Sequence, residues 1–213
     1  IVMVLVMAGR DLGTTSVIAA ILAGMLFVSG IQLRILGWAT AAGALALAFL
    51  IATSDYRAQR FLVFLNPFAP EDYKLAGWQP AHSLLGLATG GLFGVGLGGS
   101  RQKWGNLPDA HTDFIFSVIG EELGLVGTLA VLALLGALIY SMFRIALRAQ
   151  EPMIRYACAG IACWFMAQSF LNIGSATSTL PVVGVTLPLV SYGGSALVAS
   201  LCAIGFVAGA ALR

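Results

Sequence analysis

Long apolar runs separated by short charged breaks dominate this sequence. That pattern restricts the chain to a bundle of membrane-crossing helices. Five runs stand out, at 12–32, 35–53, 113–143, 155–178 and 187–212. Each is close to or above the roughly 20 residues that a helix rising about 1.5 Å per residue needs to cross a bilayer. Residues 1–9 read as the tail of a preceding membrane helix, broken at Gly9-Arg10-Asp11. Only 9% of the 213 residues are charged and 59% are hydrophobic, against about 25% charged in soluble domains. So few charges cannot cover a water-facing surface, and clustering them between apolar runs suits lipid as the solvent. The expected class is all-α: a polytopic membrane helix bundle forming one membrane domain over 1–213. A net charge of +2 with no basic stripe gives nucleic acid no footprint.

Arginine and lysine in short loops set orientation. The 144–155 connection carries Arg144, Arg148 and Arg155 against Glu151, which predicts a cytoplasmic loop. The turn with Arg34 falls on the same side. Counting spans then places 54–112, as one large loop, and the prolines at 181–188 on the extracytoplasmic face. A loop of that length is uncommon without a function. The three cysteines lie in apolar segments without metal or redox spacing and read as small packing residues. The chain opens on Ile1 and stops at Arg213 within an apolar run, so an internal stretch of a longer protein is expected.

The chemistry-bearing run is Leu107-Pro108-Asp109-Ala110-His111-Thr112-Asp113-Phe114-Ile115-Phe116, where the long loop enters a span. One reading makes Thr112 or Asp113 a helix cap, its oxygen accepting backbone N–H bonds at the positive helix end. The other makes Asp113 a working carboxylate. At about 100° per residue, Ser117, Gly120, Gly124 and Gly127 fall within about 40° of Asp113. Such a stripe of small residues supports close helix packing or leaves a groove for a lipid chain. Glu121 and Glu122 are intramembrane carboxylates, functional candidates by default, but they point too far apart for one site. Upstream, Arg101 and Lys103 follow a glycine-rich turn. They serve either as an anion site or, with Trp104, as an interfacial anchor. The last span opens with Thr186-Leu187-Pro188-Leu189-Val190-Ser191-Tyr192-Gly193-Gly194-Ser195, which is either a plain helix entrance or a point of close approach. His82 and His111 make no metal pair, and neither an HExxH nor a GxSxG motif occurs.

Taken together, Asp11 to Thr15, Gly77-Trp78-Gln79 with Ser83-Leu84, Gly94 to Lys103, Leu107 to Gly127 and Leu180 to Ser195 resemble the SEDS family (shape, elongation, division and sporulation). The resemblance runs through nearly the whole chain. Gln102-Lys103 ahead of the HTD motif is nearer to the family's cell-division branch than to its elongation branch. Departures occur at Arg10, His82, Asp109 and Ala196; Asp113 stands where the family has its essential aspartate. The resemblance implies that this is the C-terminal half of a roughly ten-span fold. It implies a multi-pass protein of the bacterial inner membrane with its active face outside. The implied activity is a peptidoglycan glycosyltransferase that polymerises lipid II with inversion. Its donor is a glycan on undecaprenyl pyrophosphate, and its acceptor is the 4-hydroxyl of the incoming lipid II sugar. Asp113 is the implied general base. Arg101, Lys103, Gln79, Ser83, His111, Thr112, Ser191, Gly193 and Gly194 are expected at the substrate, with Ser117 and Glu121 supporting. A class B penicillin-binding protein and other divisome membrane proteins are the implied partners. No dedicated cage for a metal is apparent, although a divalent cation would suit the leaving pyrophosphate. The competing expectations are a flippase for the same lipid and a non-catalytic scaffold for a penicillin-binding protein.

Overall fold

Helix boundaries in this chain follow local backbone chemistry more closely than they follow the edges of the apolar runs. The computed structural model describes residues 3, 5, 6, 9, 11–52, 63, 64, 66–70, 73 and 75–212. Most of the expected tail at 1–9, Arg10, residues 53–62 of the long loop, and Arg213 lie outside the described residues. Among the described residues six α-helices are defined: α1 Leu12–Val28, α2 Leu33–Ala52, α3 Trp78–Gly90, α4 Ile115–Arg148, α5 Pro152–Ala176 and α6 Gly194–Ala211. No strand occurs among the described residues. Helices α4, α5 and α6 are long and apolar enough to cross a membrane. The apolar part of α1, Gly13–Val28, is shorter, and α2 runs for 20 residues. A helix therefore stands at each of the five expected spans.

The boundaries have identifiable causes. Asp11 caps α1, its Oδ1 accepting the Thr14 N–H at 2.9 Å and its Oδ2 the Thr14 hydroxyl at 2.6 Å. Pro152 opens α5, where a missing N–H costs nothing. The last helix starts at Gly194, not at 187 as its apolar run suggests. The Leu187 N–H is taken by the Ser191 hydroxyl at 2.8 Å and Leu189 sits at φ 65°, so 187–193 is a folded turn and not a helix entrance.

Helix α5 is the centre of the bundle. It packs along α1 and α4 and touches α3 and α6. Helices α1 and α5 run antiparallel: Gly24 abuts Cys163, Gly160 abuts Met25, and Gly13, at the other end of α1, abuts the segment just beyond α5. Close approach at small residues is how helices associate where lipid removes the hydrophobic drive between them. A core of Met142, Ala146, Cys158, Ala159, Ala162, Phe165 and Val207 ties α4, α5 and α6 together. Cys158 and Cys163 are buried packing residues as expected, whereas Cys202 is exposed on α6.

The largest departure from a simple bundle is a break in α4. Gly124 adopts φ 67°, ψ −163°, a region open in practice to glycine alone. The chain after α3 fills the gap. Val95 and Gly96 donate their N–H groups to the Glu121 and Glu122 carbonyls at 2.9 and 3.1 Å. Leu125 and Val126 donate theirs to the Gly91 and Leu92 carbonyls at 2.9 and 3.2 Å. Gly124 lies about 14 Å along α4 from its first residue at about 1.5 Å per residue. Helix α3 runs parallel to that stretch, with Ser83 against Ser117 and Gly90 against Gly120. Residues 83–96 therefore pack along α4. Backbone groups of residues 91, 92, 95 and 96 find their partners on α4. The small-residue stripe on α4 is used for this packing.

Candidate functional site

The turn that carries the aspartate is built on one carbonyl. Asp109, at φ 54°, accepts the N–H groups of Thr112, Asp113 and Phe114 at 3.1, 3.0 and 3.3 Å. Helix α4 then begins at Ile115 with Phe114 in the capping position and no side-chain cap. Neither Thr112 nor Asp113 caps the helix, so the capping expectation fails and the carboxylate is left for other use. Phe114 is fully buried and pins the turn into a core with Leu107, Ala110, Phe116 and Leu187.

A second segment clasps this turn. The Ser191 hydroxyl donates to the Thr112 carbonyl at 2.5 Å. The Tyr192 N–H donates to the His111 carbonyl at 2.9 Å, and the two rings meet edge-on at 5.7 Å. From α5, the Asn172 Nδ2 donates to the Asp113 carbonyl at 2.8 Å and to the Val185 carbonyl at 2.7 Å. Gly184, at φ 69°, lies flat against the carboxylate: a Cβ there would sit 3.4 Å from Asp113 Oδ2. On the far side of the same segment, a Cβ on Gly13 would come within 2.8 Å of Val185 Cγ2. Three stretches remote in sequence, 11–15, 107–117 and 180–195, thus meet at one end of the bundle.

Burial raises the Asp113 carboxyl above the usual carboxylate range, and the neighbouring Asp109 carboxylate adds to the rise. His111 and a hydrogen bond from Thr112 pull the other way. A raised carboxyl is a stronger proton acceptor than an ordinary carboxylate.

The remaining expected site residues divide into two groups. Ser83 is buried between helices, hydrogen-bonded to Ser117 on α4 and donating to the Ala176 carbonyl of α5 at 2.6 Å. Gln79 stands in the first turn of α3, while Gly193 and Gly194 open α6. Arg101 and Lys103 belong to a separate clasp. Glu121 is buried and accepts the Ser100 hydroxyl at 2.5 Å, the Arg101 N–H at 3.0 Å and the Gln102 N–H at 3.3 Å. Glu122 pairs with Lys103 Nζ at 2.5 Å. Both glutamates therefore serve one segment, 100–103, although their directions along α4 suggest separate tasks. Lys103 is already held, whereas the Arg101 guanidinium has no hydrogen-bond partner among the described residues. Neither cation acts directly on Asp113. Among the described residues, no group of three or more His, Cys, Asp or Glu is arranged to hold a metal ion, so the divalent-cation expectation finds no matching ligand set there. Sequence reasoning missed Asn172 and Gly184. The available signal for Asn172 was an amide within the apolar run of α5.

Residues 1–212 match the FtsW/RodA/SpoVE family, described as "Cell cycle protein". The chain is 42% identical over 211 residues to the "Probable peptidoglycan glycosyltransferase FtsW" of Mycobacterium tuberculosis, covering 99% of this chain and 40% of that protein. It is 43% identical over 202 residues to the protein of the same description from Dichelobacter nodosus, covering 93% and 50%. Among solved structures it resembles a chain of a peptidoglycan synthase complex that coordinates polymerization and crosslinking. That match has a TM-score of 0.73 and 32% identity, over 97% of this chain and 57% of the other. It also resembles an aspartate-to-alanine mutant of the Thermus thermophilus rod shape determining protein RodA. Here the TM-score is 0.63 and the identity 30%, over 97% and 51%. The chain spans about half the length of the relatives it matches.

Proposed function

The chain belongs to the FtsW/RodA/SpoVE family of cell cycle proteins, and from that premise we propose that the intact protein is a peptidoglycan glycosyltransferase that polymerises lipid II during cell division. Asp113 is the general base. The observation that supports this reading best is the state of its carboxylate: released from helix capping, fixed through its backbone from two sides, and raised by burial. As the acceptor 4-hydroxyl oxygen bonds to the donor's anomeric carbon, its proton passes to Asp113. The bond to the pyrophosphate oxygen breaks with its electron pair, and the anomeric configuration inverts. Arg101 is the cation available to the leaving pyrophosphate, and Lys103, held by Glu122, sets the position of that segment. His111, Thr112, Ser191 and the Gly193-Gly194 turn hold the base in place, while Gln79 and Ser83 belong to the α3 wall.

The reading makes a pH-dependent prediction. A base must be deprotonated to act, and the Asp113 carboxyl is raised. Polymerisation of lipid II by the purified intact protein should therefore fall with an acid limb lying above the usual carboxylate range. A flippase or a scaffold makes no polymer under the same conditions, and that outcome would refute the enzyme reading.

The proposed setting is the bacterial plasma membrane, with the Asp113 end of the bundle outside and a class B penicillin-binding protein alongside. The Arg144, Arg148 and Arg155 end would then face the cytoplasm. A membrane-impermeant thiol reagent added to whole cells should label Pro108→Cys and spare Gln150→Cys, with Cys202 replaced by Ser in both. The reverse labelling would invert this topology.

A further inference from the structure

We propose that Asn172 is a positioning residue for the reaction, acting by locking the Asp113 turn to the Gly184-Val185 wall. The inference rests on the general-base reading of Asp113 and adds to it the part that aims the base. Asn172 is 1% exposed, and its one Nδ2 spans two carbonyls belonging to different segments, Asp113 at 2.8 Å and Val185 at 2.7 Å. Only an amide nitrogen offers two N–H bonds from a side chain this short; a hydroxyl has one and a carboxylate none. Its Oδ1 is buried and has no hydrogen-bond partner among the described residues.

The lock acts on the carboxylate through geometry. Gly184 lies against Asp113 Oδ2, and its neighbour Val185 is the residue whose carbonyl Asn172 grips. With the grip released, the wall and the turn separate, water reaches the carboxylate and the base loses its aim. Among the described residues, the charged groups acting on Asp113 are Asp109 and His111 on its own turn, with Thr112 as a hydrogen-bond donor. The wall contributes Gly184 and Val185, which carry no charge, and α1 contributes Asp11, already engaged with Thr14. Helix α5 presents Asn172 itself, which does not titrate. Loosening the wall thus chiefly removes burial.

The test compares the intact wild-type protein with Asn172→Leu and Asp113→Asn in lipid II polymerisation across pH. Leucine keeps the branched shape and removes both donors. We expect a loss of about 10- to 100-fold in kcat, the range that a small misplacement of a reacting group produces. KM for lipid II should stay near the wild-type value, and the acid limb should move to lower pH. A purely structural residue would lower the melting temperature while leaving kcat per folded molecule and the acid limb unchanged, and that result overturns the proposal. If Asn172→Leu does not fold, Asn172→Ser carries the same comparison, because a hydroxyl is uncharged and offers at most one donor. Continued polymerisation by Asp113→Asn would instead overturn the general-base reading, whatever Asn172→Leu does.

Discussion

Gly124→Ala is expected to destabilise the intact protein by roughly 2–6 kcal/mol, combining a backbone conformation that is open in practice to glycine alone with an overpacked contact. The added Cβ would lie 2.6 Å from the carbonyl carbon and oxygen of Leu92. These are backbone atoms that cannot rotate aside. Relief requires residues 91–96 to withdraw from the break, which would leave the carbonyls of Glu121 and Glu122 and the N–H groups of Leu125 and Val126 without their present partners. The damage would not stop there, because Glu121 and Glu122 also hold Ser100, Arg101, Gln102 and Lys103. Thermal unfolding in detergent should show a clearly lower midpoint, with protease cleavage appearing within 91–99. A midpoint equal to that of the wild type would mean that α4 tolerates a continuous helix and that the pairing with 91–96 contributes little.

Much of this arrangement could be read from the sequence, and the parts that could not have physical reasons. Apolar runs near spanning length located helices α1, α2, α4, α5 and α6 because lipid leaves the backbone few alternatives. Their ends were less legible. Whether Leu187 begins a helix depends on a hydroxyl four residues away, at Ser191, capturing its N–H. Helix α3 was hidden because its buried face consists of Pro80, Ala81, His82, Ser83, Gly86 and Gly90, a set with little hydrophobic contrast. The break at Gly124 was invisible for a related reason. One glycine among several on the α4 stripe looks like a packing residue, and only the backbone of 91–96 gives it another purpose. Asp113 was legible as a candidate, but its release from capping was not, because Asp109 lies in a left-handed conformation that local spacing does not reveal. Glu121 and Glu122 invited a catalytic reading on principle. Their partners at 100–103 follow from how the segment after α3 returns along α4.

Asp113→Asn provides the most direct measurement of the central claim. Asparagine keeps the size of aspartate and cannot accept the proton. Because Asp113 does not cap α4, the change removes no capping bond. Its effect on folding follows from the direction of the carboxyl shift. A carboxyl raised in the folded state favours folding at low pH and loses that contribution as pH rises through its folded value. At neutral pH the buried charge is a cost, which the neutral amide avoids. The variant should therefore fold and melt at least as high as the wild type at neutral pH. Lipid II binding should be retained, while polymerisation measured with the purified intact protein should fall by about 10²–10⁴-fold, the usual worth of a general base. A well-folded Asp113→Asn protein that polymerises lipid II at a rate near the wild type would contradict the assignment.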